Sequence, residues 1–314
     1  MQSNKMDKQI KVDELFKLFW EKKVSIIIST FLFALISISY SLYLPNKYLS
    51  SATLTMSERT SSSSPLEGLA SIGSLASLAG INLGVSDQKL VLAQKVISSR
   101  DFVKHLISFD MVLANLIAAS NYSYENDQII YDPDLYDSKR NIWTFKPVRG
   151  RKNPPSYLEA HKAFKEVLKI DYDDNDPDFL TIGVEHYSPK FSNFFLNLII
   201  SELNTISREK ALKEAQKSLS FLDEQLINTK NLEIKNSIRL LIEQQLKVKM
   251  LASVREDFLV TIIDEPFVPE TKSGPIRWLF TIVGTLIGFF VATLYVFLRK
   301  YWNFNIDLSG EIQK

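Results

Sequence analysis

Two stretches without a charged residue, Val24 to Leu44 and Trp278 to Leu298, stand near opposite ends of a chain of 314 residues. Each has 21 residues, and a helix needs about 20 apolar residues to cross a hydrocarbon core of about 30 Å. Both are bounded by charge, so they read as membrane spans rather than core helices. Lys5, Lys8, Lys11, Lys17, Lys22 and Lys23 precede the first, against Lys47 and Arg59 soon after it. Arg299, Lys300 and Lys314 follow the second, against Lys272 and Arg277 before it. Positive charge stays on the cytoplasmic side. The expected layout is therefore a cytoplasmic tail (1–23), a span (24–44), one large domain on the far side (45–277), a second span (278–298) and a second cytoplasmic tail (299–314). Cleavage of the first stretch as a signal peptide is the competing reading, but its apolar run exceeds the about 7–15 residues of a signal core.

The remaining composition suits a domain with a real core: 46% of the residues are hydrophobic and 23% charged. Lys plus Arg number 37 against 36 Asp plus Glu, which removes the strongly basic signature of a dedicated nucleic-acid binder. Cysteine is absent, which excludes disulfides, thiolate metal sites and cysteine nucleophiles. Within the spans, Ser25, Ser29, Ser37 and Ser41 share one stripe, interrupted by Phe33; Gly284, Gly288 and Ala292 do the same in the second. Such stripes let helix backbones approach closely in lipid, or are the ordinary small residues of a lone anchor.

Between the spans, Tyr48 to Met56 is rich in β-branched and aromatic residues and reads as a strand. Residues 57–86 mix Ser61 to Ser64, Pro65 and four glycines with Leu and Ile, either a loop covered by a neighbouring subunit or a poorly formed internal helix. Spacing predicts one or two helices over Asp87 to Phe109 and another over Tyr157 to Leu168, with strands at Lys169 to Tyr172 and Phe179 to His186; residues 121–155 read as irregular. The expected fold class is α+β: a mixed α/β base domain flanked by two terminal transmembrane helices and carrying a very long extended helix. From Lys190 to Glu265 there is neither glycine nor proline over 76 residues. Phe191, Phe194, Phe195, Leu198, Ile199, Leu203 and Ile206, then Leu212, Ala215, Leu219, Leu222 and Leu226, follow helical spacing. One helix over about 190–257 would span about 100 Å. The competing reading is an antiparallel hairpin, broken near residues 228–236 where Asn228, Thr229, Asn231 and Asn236 are weaker helix formers. Phe258 to Ile263 is strand-like.

Catalytic signatures are lacking. His105, His161 and His186 have no metal-ligand spacing, and neither G-x-x-x-x-G-K-[ST] nor G-x-S-x-G occurs. The cluster Asp171, Asp173, Asp174, Asp176 and Asp178 lacks the glycine and distal Glu of a calcium loop and reads as a solvated turn. The expectation is no enzyme, no cofactor and no metal. Lys139, Arg140, Lys146, Arg149, Arg151 and Lys152 surround Trp143 without an acidic residue among them. That run is either a contact for an acidic glycan or membrane lipid headgroup, the indole stacking on it, or a solvated loop.

The segment Asp264 to Gly288 (DEPFVPETKSGPIRWLFTIVGTLIG), with MLASVREDF from Met250, VEHYSP from Val184 and SSR from Ser98, resembles the chain-length determinant proteins, or polysaccharide co-polymerases, of the Wzz type. Pro266, Pro269, Pro275 and Arg277 occupy the pattern, although Lys272 and Ser273 stand where relatives often have further prolines. Proline fixes φ and removes a donor, so this segment is expected to couple the external domain stiffly to the second span. The resemblance implies a homo-oligomeric ring in a bacterial inner membrane that sets the modal length of a lipid-linked polysaccharide, of O-antigen type, made by a Wzy-type polymerase. Relatives with a fused tyrosine kinase exist; with Tyr301 alone in the tail, a kinase-less form is expected. Two rival functions remain, a scaffold for capsule or exopolysaccharide export working with a separate cytoplasmic kinase, and a membrane enzyme or sensor.

Overall fold

The computed structural model describes residues 20, 22–57, 86–146, 152–172 and 178–310. Outside them lie the lysines of the leading tail up to Lys17, the Gly- and Ser-rich stretch, Asp173, Asp174 and Asp176 of the acidic cluster, and Arg149 and Arg151 of the basic run. The chain divides into two units, Asn46–Ser273 and the paired segments Met1–Pro45 and Gly274–Lys314. In the first unit, β1 (Tyr48–Met56) is followed by α2 (Ser86–Ile97), α3 (Arg100–Leu106) and α4 (Val112–Ala118). Next come two hairpins, β2 (Ala119–Ser123) with β3 (Gln128–Tyr131), and β4 (Tyr136–Asp137) with β5 (Ile142–Trp143). Then α5 (Tyr157–Val167), β6 (Leu168–Tyr172), β7 (Phe179–His186), α6 (Pro189–Asn228), α7 (Leu232–Val254) and β8 (Val260–Asp264) complete it. The second unit holds α1 (Lys23–Tyr43) and α8 (Arg277–Gly310).

A four-stranded sheet in the order β6–β7–β1–β8, antiparallel at every pairing, forms the base. Strict alternation makes this sheet one-sided. Tyr48, Ser50, Ala52, Leu54 and Met56 turn inward along β1, facing Leu180, Ile182 and Val184 of β7 as neighbours. On that inner face lies the first third of α6, where Phe191, Phe195, Ile199 and Leu203 step by four and are almost completely buried. Phe164 of α5 meets Phe195 edge to face at 5.9 Å. The start of α6 explains the VEHYSP pattern. Ser188 caps it by accepting from the Phe191 backbone N–H at 3.3 Å, and Pro189 occupies the first turn, where its missing donor costs nothing. Ser99, in the SSR pattern, caps α3 in the same way through the Phe102 N–H.

The very long helix is present, with 40 residues and a length of about 60 Å, but it does not run to residue 257. It stops at Asn228, Thr229 is extended, and Asn231 caps α7 by accepting from the N–H groups of Glu233 at 2.8 Å and Ile234 at 3.4 Å. The chain then doubles back: Lys249 Nζ donates to Gln216 Oε1 at 2.6 Å. Asparagine prefers a cap to a helix interior because its side chain competes for backbone donors, so the hairpin reading is the correct one. Beyond Ile206 the core is thin. Ala215 and Leu219 on α6, with Ile238 and Ala252 on α7, are the buried apolar residues, while Ile227 and Val254 are 82% and 76% exposed. Residues 121–155 also depart from expectation, since both small hairpins fall there; strands of two to five residues are too short to show a period, and their turns use Asp127 and Asn141 at positive φ.

The hairpin returns to the base through one buried amide. Asn204, on the core side of α6, accepts from the backbone N–H groups of Leu259 and Val260 at 2.9 Å and donates to the Val260 carbonyl at 2.9 Å. This satisfies the entry of β8 before its pairing with β1 begins. His186, at the end of β7, is buried beside Phe191. Its Nδ1 accepts from the Ser188 N–H at 3.1 Å, so the proton sits on Nε2, which donates to the Asn115 carbonyl at 3.0 Å. Burial pushes its pKa down to about 4, outweighing the backbone hydrogen bonds that raise it.

Asn204→Ala is expected to cost about 1–3 kcal/mol, by leaving the buried Val260 N–H and the half-buried Leu259 N–H unmatched, measured as the shift in chemical unfolding of the detergent-solubilised chain. His186 gives a pH dependence with a definite sign. An unfolded histidine takes up its proton near pH 6.5, the folded one only near 4. The unfolded state therefore binds more protons in that window, so stability is constant with respect to this group above pH 6.5 and falls as pH drops toward 4. His186→Gln should flatten that part of a pH-stability profile.

Candidate functional site

The helix pair comes first, because the small-residue stripes fall on it. α1 and the Arg277–Arg299 portion of α8 have mean hydropathies of 2.0 and 2.2 over their most apolar stretches, of which 11% and 17% is buried. Both are long and apolar enough to cross a membrane, and their bareness suits lipid, whereas the core helix of a soluble protein would be mostly covered. Against one another they are packed closely and antiparallel. A Cβ added at Gly284 would collide with the Cβ and Oγ of Ser37, and one at Gly288 would lie 2.5 Å from Phe33 Cβ. Ser37 Oγ also donates to the Phe280 carbonyl at 2.6 Å. Ala292 is buried with Ile26 and Val296 further along. Phe33 thus fills the hollow at Gly288 instead of interrupting the contact. Ser41 is buried, Ser29 half-buried and Ser25 exposed.

The proline segment leaves β8 in extended form along the base. Ser50 Oγ donates to the Phe267 carbonyl at 2.7 Å, Pro269 is buried and Pro266 half-buried. At its end Ser273 closes on the beginning of the unit. The Ser273 N–H donates to the Lys47 carbonyl at 2.8 Å, and its hydroxyl donates to Glu185 Oε1 at 3.0 Å. Glu185 also faces Lys47 at 3.9 Å and Lys169 at 3.6 Å. The chain therefore enters and leaves this unit at one tied point. Pro275 and Arg277 belong to the helix unit, Arg277 as the first residue of α8.

The basic run does not form one cluster in the described residues. Lys139 and Arg140 lie in the β4–β5 turn around Asp137, whose Oδ1 accepts from the Lys139 N–H at 3.0 Å and whose Oδ2 lies 3.9 Å from Arg140 Nε. Lys146 and Lys152 are exposed where the description breaks off and resumes. Trp143 is not a free platform. Its ring packs 5.0 Å from Tyr136 and 6.0 Å from Phe145 and walls a cavity of about 360 Å³. Beyond the Met111 turn, Asp127 accepts from Lys190 Nζ and the Tyr122 hydroxyl, and those hydrogen bonds hold its carboxyl below the usual range. Burial, reinforced by Asp127, pushes the Tyr122 hydroxyl up to about 12. Each histidine is engaged structurally: His105 with Glu202 at 2.6 Å, His161 with the Ser98 carbonyl at 2.9 Å, and His186 as above. Among the described residues no three His, Asp or Glu side chains are grouped to hold a metal ion.

Sequence reasoning named the two glycines but missed Asn204 and the Asp127–Lys190 pair. An amide in the middle of an apolar seam was the available signal for the first; the second joins residues 63 apart and left none. Gly284→Leu combined with Gly288→Leu should lower the stability of the detergent-solubilised chain by about 1–3 kcal/mol through overpacking, read as its thermal midpoint. Gly284→Ala should already lower it, because the first added carbon meets Ser37.

Residues 8–109 match the family model described as Wzz, chain length determinant protein. No curated protein matches the chain. A solved structure described as a full-length bacterial polysaccharide co-polymerase aligns over 92% of this chain and 97% of its own at 13% identity, with a TM-score of 0.36, a likeness too loose to bear on the fold or function. Over residues 8–109, about a third of its length, the chain is similar to the Wzz chain length determinant proteins.

Proposed function

We propose that this chain is a polysaccharide chain-length determinant, an inner-membrane scaffold with both tails in the cytoplasm and residues 45–277 in the periplasm that sets the modal length of a lipid-linked polysaccharide of O-antigen type. It is a non-catalytic regulator, as the family's members are, and its partners are further copies of itself and a Wzy-type polymerase. The observation that carries this reading is the match to chain length determinant proteins over residues 8–109, which include α1, together with the close packing of α1 on α8. Association of copies is supported by the bare flank of α7, where Leu240, Leu246, Met250 and Val254 are exposed. An isolated two-helix ribbon gains little by leaving such residues in water, so a second surface is needed to cover them. In this reading Pro266, Pro269 and Pro275 transmit the position of the base to the second span, because extended proline-bearing chain resists bending. Lys139, Arg140, Lys146, Arg149, Arg151 and Lys152 offer cations to acidic glycan or lipid headgroups.

Deleting the gene should change the modal length seen in a gel of surface polysaccharide, and Gly284→Leu with Gly288→Leu at normal expression should shorten or broaden the distribution. An unaltered ladder in the deletion strain would remove the regulatory role. Recovery of a cytoplasmic kinase on the leading tail, with capsule and not the ladder affected, would favour the export scaffold.

A further inference from the structure

The turn between α3 and α4 separates two cavities. Met111 adopts a left-handed conformation, φ 66°, and projects with 49% of its surface exposed. On one side the β4–β5 hairpin walls a half-open cavity of about 360 Å³ with Tyr136, Asn141 and Trp143. On the other, β3 and the first turns of α6 border an open hollow of about 640 Å³ with Gln128, Tyr131, Lys190 and Phe194. Asp110 and Met111 line both.

The chemistry of the walls narrows what could fit. Phe194 is 54% exposed although it stands on a helix whose neighbours Phe191 and Phe195 are buried, so an aromatic face is left at the rim. Asn141 takes the Tyr136 hydroxyl on its Oδ1, which leaves the amide hydrogens for another acceptor. An anionic ligand would meet the carboxyl groups of Asp110 and Asp127, while Lys190 is already engaged by Asp127. A wholly apolar ligand would cover the Asp110 carboxylate and the Asn141 amide hydrogens without offering them a partner. A pyranose suits both demands, with an apolar C–H face for an aromatic or thioether side chain and hydroxyls for carboxylates and amides.

We propose that the two cavities beside Met111 are adjoining sugar subsites that hold uncharged residues of the polysaccharide. The proposal rests on the chain-length reading and adds where and through which chemistry the polymer is held. Two subsites sharing one wall would register a run of linked sugars, not a chain end or a lipid.

The test uses the full chain in detergent with Trp20→Phe, Trp278→Phe and Trp302→Phe, so that Trp143 alone reports. The probe is surface polysaccharide released from the source cells by mild acid and trimmed to short oligomers. A saturable change in Trp143 emission is expected, with affinity about tenfold weaker in Asn141→Ala and in Phe194→Ser, consistent with loss of one hydrogen bond or one ring contact. Both sites are exposed, and an unchanged unfolding midpoint checks that the variants fold. No saturable change, or equal affinity in both variants, overturns the proposal. The gene-deletion ladder separates the two claims: a changed ladder without oligomer binding sinks the subsites and spares the regulator, whereas binding with an unchanged ladder does the reverse.

Discussion

The first four turns of α6, pressed into the inner face of the antiparallel sheet, fix almost everything else in the larger unit. Phe195, Ile199 and Leu203 are completely covered there, together with Leu54, Leu180 and Ile182 from the two central strands. At about 25 cal/mol per Å² of apolar surface, side chains of this size contribute roughly 1.5–3 kcal/mol each when buried. Among the described residues they belong to one buried cluster to which α2, α3, α4 and α5 also contribute. A capped Ser-Pro step directly after β7 fixes where α6 starts.

From that anchor the rest follows by closure. A helix that starts in the core and continues for 40 residues must bring its chain back, and Asn204 receives it by holding the first residues of β8. The sheet then ends in the proline segment, which returns to Lys47 through Ser273. Polar groups thus specify where each excursion terminates, while apolar groups supply the drive. That division is common where burial alone would tolerate several registers.

Much of this was legible from residue order. β1 and β7 have the expected limits, Tyr48–Met56 and Phe179–His186, because alternation and β-branched side chains agree there. The apolar helices, α5 and the strand after the hairpin were visible for similar reasons. The end of α6 was harder: a seam of Leu and Ala serves equally for one helix lying on a neighbour or two lying on each other, and only the asparagines at 228 and 231 hinted at the reversal. The glycine and serine stripes could be seen, but a stripe does not state its register, so the seating of Phe33 at Gly288 required coordinates. That Trp143 packs against Tyr136 and Phe145 could not be read from residue order, because the strands beside it are too short to show a period. The Met111 cavities have no sequence signature, being made of segments far apart in the chain.

The outer half of the helical hairpin has a thermodynamic consequence of its own. With few buried contacts past Ile206, its opening free energy depends on the turn cap and the ribbon's own side chains, not on the sheet. Such a segment behaves as a separate cooperative element that can fray while the base stays native. Whatever surface covers it then acts as a ligand for its folded form, so ordering of the ribbon and assembly become the same equilibrium.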